Sequence, residues 1–98
     1  MKQIVLDKRY NYHTHFKYCL DFKGIDSTKD FIHLRGRLIE SWGLTVEAHL
    51  YCSSLLYRRG VNYLNMPWSW SQLNDWHYRI YIVDNIAIAE LRLRGLIE

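Results

Sequence analysis

The stretch Tyr78-Arg79-Ile80-Tyr81-Ile82-Val83-Asp84-Asn85-Ile86-Ala87-Ile88-Ala89-Glu90-Leu91-Arg92-Leu93 decides the fold, because it carries two periodicities at once. Tyr78, Ile80 and Ile82 alternate with Arg79 and Tyr81, the period-two pattern of a strand. Asp84-Asn85 is turn chemistry, so the whole stretch reads as a C-terminal β-hairpin. Counted in threes and fours, however, Trp70, Leu73, Trp76, Ile80, Val83 and Ala87 fall on one helical stripe, and Ala89, Glu90 and Leu91 are good helix formers. β-Branched density through Val83 favours the hairpin; the helix stands as the alternative.

The segment just before it, residues 61–77, is aromatic and irregular: Tyr63, Leu64, Met66, Pro67, Trp68 and Trp70. Ser69 followed by Gln72 has capping-box spacing and predicts a short helix through Trp76. Further upstream the helical signals are clearer. Ser27-Thr28-Lys29-Asp30 has the form of a capping box, and Phe31, Leu34, Leu38 and Trp42 make one apolar stripe that Ile32 and Ile39 widen. Gly43 suits the left-handed position that stops a helix, and Thr45 can cap a second one running to Arg58-Arg59. The short link Gly43-Leu44-Thr45 predicts that these two helices pack together. Gly36, alone inside the first, suggests a close approach by another backbone.

The N-terminal part reads as β structure. Ile4-Val5-Leu6 is a short apolar run, and Phe16, Tyr18, Leu20 and Phe22 alternate with Lys17, Cys19 and Asp21. Asp7-Lys8-Arg9-Tyr10-Asn11 would connect the two strands of a hairpin, and Gly24 ends the second. The expected architecture is thus α+β: an N-terminal β-hairpin, a central two-helix hairpin, an aromatic loop, and a C-terminal β-hairpin or helix, in one domain over residues 1–98.

Composition excludes several classes. Hydrophobic residues at 49% and charged residues at 23% are ordinary for a globular chain and argue against disorder. No apolar run approaches the ~20 residues of a bilayer span, and Met1–Asp7 lacks the apolar stretch of a secretory signal. Two cysteines, Cys19 and Cys52, make no disulfide framework and read as buried thiols of a cytoplasmic protein.

Candidate chemistry is sparse. His13 and His15, at i and i+2 on a strand, share a face and could ligate one metal, yet no spacing points to a third ligand; solvated histidines are the simpler reading. A Cys–His pair is possible on paper for any chain with two Cys and five His. There is no Gly-rich phosphate loop and no paired carboxylate motif. We therefore expect no catalytic residue and no cofactor.

A net charge of +3 with pI near 9.0 invites comparison with nucleic-acid binders, and Arg35/Arg37, Arg58/Arg59 and Arg92/Arg94 are local basic pairs beside aromatics able to stack bases. That charge is small for neutralising many phosphates, so a DNA- or RNA-binding domain is the second reading. The first rests on Trp68, Trp70 and Trp76, which crowd around Pro67, the sole proline. A small core cannot easily enclose so many indoles while satisfying each N–H, and Trp, Tyr and Met are enriched at interface centres. The expected partner-binding set is Tyr63, Met66, Pro67, Trp68, Trp70 and Trp76, with Arg58 and Arg59 at its rim. The Met66–Pro67 bond, able to exchange slowly between cis and trans, is also a candidate contact for a host prolyl isomerase.

In size, lack of catalytic motif and the aromatic Asn65-Met66-Pro67-Trp68 segment, the chain resembles small phage-encoded modulators of host enzymes, the lambdoid-phage anti-RecBCD accessory proteins among them. The resemblance implies a non-enzymatic protein that docks on a host recombination or defence nuclease, through its RecC subunit, in the host cytoplasm.

Overall fold

The computed structural model describes residues 1–45, 47–48 and 67–97. Strand β1 (Lys2–Val5) and strand β2 (Tyr18–Lys23) lead into helix α1 (Ile25–Trp42); strands β3 (Trp68–Asn74) and β4 (His77–Ile82) then precede helix α2 (Asn85–Leu93). The strands form one sheet in the order β1-β2-β4-β3, and each neighbouring pair is antiparallel. The architecture is α+β. The expected N-terminal hairpin is present, although its connection spans residues 6–17 rather than ending at Asn11.

The stretch with two periodicities divides at Asp84. Residues 77–82 are a strand, as alternation predicted, but their hairpin partner is the segment before them, not the one after. Asp84 is extended, and its carboxylate accepts the Ala87 backbone N–H at 2.9 Å, so the pair read as a turn is the N-cap of α2. The expectation of a strand over 86–93 is thereby corrected. A strand would have split Ile88 from Ala87 and Leu91 onto opposite faces, whereas the helix buries all three on one stripe.

The short helix expected after Ser69 is corrected as well: Trp68-Ser69-Trp70-Ser71 is strand, its indoles and hydroxyls alternating between the two faces. Helix α1 begins earlier than its sequence signals suggested. Gly24, with φ 100°, occupies the N-cap position, no side chain caps the helix, and the Thr28 hydroxyl donates back to the Gly24 carbonyl. Gly43 ends α1 at φ 89°, a conformation costly for other residues. Among the described residues, nothing lies within 4 Å of the point where a Cβ on Gly36 would sit, so none of them makes the expected close approach. The second expected helix, from Thr45 to Arg59, lies almost wholly outside the described residues.

Both faces of the sheet carry a core. On one, Leu20, Phe22, Trp68, Ile80 and Ile82 meet Phe31, Leu34 and Leu38 of α1 and Ala87, Ile88 and Leu91 of α2. On the other, Leu6, Phe16, Cys19, Ala48 and Tyr81 form a smaller cluster under the connection between β1 and β2. Phe16 belongs to this second cluster, not to the face of Leu20 as alternation implied. It precedes β2, in a turn where the Tyr12 carbonyl accepts both the His15 and Phe16 N–H groups at 3.0 Å.

Candidate functional site

Trp76, at the tip of the β3–β4 hairpin, is the most exposed indole among the described residues. Gln72 pairs with Tyr78 and Asn74 with His77, so Leu73 is an extra residue in β3, a bulge of the kind that re-aims a side chain. Asp75 and Trp76 make the turn. The Gly24 N–H donates to the Trp76 carbonyl at 2.7 Å and fixes the turn against the start of α1. Trp76 is 51% exposed, and Leu73 in the bulge and Ile25 at the start of α1 are also open to solvent.

The other indoles are placed differently. Trp68 is only 1% exposed and lies in the main core, its Nε1–H donating to the Gly43 carbonyl at 3.2 Å. Its inclusion among partner anchors is corrected: the interior does enclose this indole, and a backbone carbonyl satisfies its N–H. Trp70 is half-buried beside Phe31, with the Arg35 guanidinium 5.1 Å from its ring centre. Pro67 is half-buried, and its carbonyl accepts the Val83 N–H at 3.0 Å. Tyr63, Met66, Arg58 and Arg59 lie outside the described residues, as do Cys52 and the Met66–Pro67 bond.

Just behind the tip, on the face opposite the helices, lies a polar group that the sequence reading passed over. Cross-strand register sets Lys2 of β1 and Arg79 of β4 on either side of Asp21 in β2, and sets Lys23 against His77. Asp21 Oδ1 is 2.7 Å from both His77 Nε2 and Arg79 Nε. Burial opposes ionisation of this carboxyl, but the hydrogen bonds from Arg79 and His77 outweigh it and hold Asp21 below the usual carboxylate range. The signal was available in the strand parity of Asp21, His77 and Arg79. Recognising it required knowing that β2 and β4 are neighbours.

Arg79 also approaches the Tyr10 ring (5.9 Å), and Tyr10 in turn borders a cleft of about 570 Å³ over this face. Further along β4, the Tyr81 hydroxyl meets Ser71 Oγ at 2.9 Å, and burial raises the Tyr81 pKa. Burial also pushes the Cys19 thiol up to about 12, a protonated and unreactive state. His13 lies in a turn, not on a strand, with Nδ1 3.0 Å from the Tyr10 carbonyl. Among the described residues, no group of three or more His, Cys, Asp or Glu is placed to hold a metal ion.

Three of the four described arginines of the basic pairs make contacts within the fold. Arg35 covers Trp70, Arg92 donates to Gln3 at 2.9 Å, and Arg94 pairs with Glu90 at 2.6 Å. Among the described residues, no helix is long and apolar enough to cross a membrane. Compared with known proteins, the chain matches no family model, no curated sequence and no solved structure.

Proposed function

We propose that the protein performs no chemistry of its own and acts by docking on another protein, with Trp76 as the central anchor and Leu73 and Ile25 around it. The observation that carries this reading is the exposure of a large indole at a tip whose backbone is tied to Gly24 by the Gly24–Trp76 hydrogen bond. A pre-ordered aromatic anchor loses little conformational entropy on binding, and truncating such an anchor typically costs about 2 kcal/mol or more. On the resemblance in composition and in Asn65-Met66-Pro67-Trp68, the proposed partner is a host recombination nuclease of the RecBCD type, engaged through RecC in the cytoplasm.

Direct nucleic-acid binding through the arginine pairs is the weaker reading. Arg35, Arg92 and Arg94 each already serve a contact within the fold, and a phosphate track needs several cations free along one surface.

The test uses purified RecBCD and the full chain, as wild type and as Trp76→Ala. Saturable binding by the wild type with altered nuclease activity, lost in Trp76→Ala while circular dichroism is unchanged, is the expected result. Equal binding by both proteins would overturn the anchor; no binding by either would overturn the partner.

A further inference from the structure

Four basic side chains surround a single carboxylate on the sheet face opposite the helices. Lys2, Asp21 and Arg79 form one row across β1, β2 and β4, and Lys23 and His77 form the next. Residues two apart on a strand share a face, so all five project into the same cleft of about 570 Å³, where Ser27 adds a hydroxyl. Asp21 is occupied by its bonds to His77 and Arg79. Leaving His77 aside, Lys2, Lys23 and Arg79 exceed Asp21 by two positive charges.

The rim and floor of the cleft differ in a useful way. Lys2 and Lys23 are exposed, whereas His77, Arg79 and Asp21 are largely shielded and held in place by one another. Such a site is charge-matched to one dianion. It does not suit a metal ion, because the surrounding cations repel one and a single carboxylate supplies too few ligands. Nor does it suit a polynucleotide, because its cations are gathered at one point and do not form a track.

We propose that this cleft binds a phosphate dianion, either the free ion or a phosphomonoester. Lys2 and Lys23 supply charge-assisted hydrogen bonds from the rim, and Arg79 supplies them from the floor. This inference does not depend on the docking role of Trp76.

The test is a ¹H–¹⁵N NMR titration of the full chain with sodium phosphate near pH 7.5, against sodium chloride at matched ionic strength. Saturable shifts centred on Lys2, Lys23, His77 and Arg79 with phosphate alone are expected. Lys2→Gln and Lys23→Gln, both at exposed positions, should each weaken binding about tenfold, the effect of losing one charge-assisted bond. Tighter binding of O-phosphoserine than of inorganic phosphate identifies an ester as the ligand, and the reverse order identifies the free ion; either supports the site. Shifts that chloride reproduces, shifts that never saturate, or full affinity in both lysine variants would overturn it. So would a single-stranded oligonucleotide that displaces phosphate with a steep salt dependence.

Discussion

The backbone N–H of Gly24 donates to the carbonyl of Trp76 over 2.7 Å, joining the end of β2 to the turn between β3 and β4. Gly24 precedes α1 and sits at φ 100°, where a residue with a Cβ is strained. The bond therefore links a backbone position suited to glycine with the residue that carries the most exposed indole of the described chain.

Trp68 and Trp76 occupy the two ends of one strand pair and should separate stability from binding. Trp68→Ala removes a side chain sealed in the main core and is expected to cost about 3–5 kcal/mol. Trp76→Ala, at 51% exposure, should change stability by less than about 1 kcal/mol. Urea denaturation of the two variants measures the difference directly.

Asp21 should make the fold sensitive to acid. Its carboxyl is held below the ordinary value of about 3.9 by Arg79 and His77 despite opposing burial. The stabilisation is present above about pH 4 and is lost as pH falls through the folded-state pKa. Asp21→Asn should lose about 2 kcal/mol at pH 7. Its unfolding midpoint should then fall less than that of the wild type between pH 7 and pH 3, as followed by circular dichroism in urea.

Cys19 should resist alkylation in the native state. Its thiol is fully buried and its pKa is pushed up to about 12. Iodoacetamide at pH 8 followed by peptide mapping should leave Cys19 unmodified until denaturant is added. Because the folded thiol keeps its proton above the unfolded pKa of about 8.5, Cys19 should also lower stability as pH rises beyond that value.

Gly36→Ala should stabilise the protein. The position is exposed inside α1, and among the described residues an added Cβ meets nothing within 4 Å. Helix propensity alone favours Ala by about 1 kcal/mol, equivalent to roughly 4–8 °C in a domain of this size. A thermal melt of the variant gives the value.

Some features were legible in the residues because their physics is local. The stripe Phe31, Leu34, Leu38 specifies α1, and the alternation Tyr18, Leu20, Phe22 specifies β2 and its buried face. Gly43 marks the end of a helix whatever surrounds it. The same local reading treated the indole cluster as a unit, and so grouped Trp76, which is exposed, with Trp68, which is buried.

What the amino-acid order could not determine was which strand lies beside which. β4 is flanked by β2, far upstream, and by β3, just before it, so every side chain on Tyr78–Ile82 acquires neighbours from two distant segments. Those pairings bury Trp68, expose Trp76, and bring Asp21 to His77 and Arg79. Helix signals arise from contacts three or four residues apart. Sheet order instead reflects the total burial achieved by the whole chain, and the fold alone places Lys2, Asp21 and Arg79 in one row.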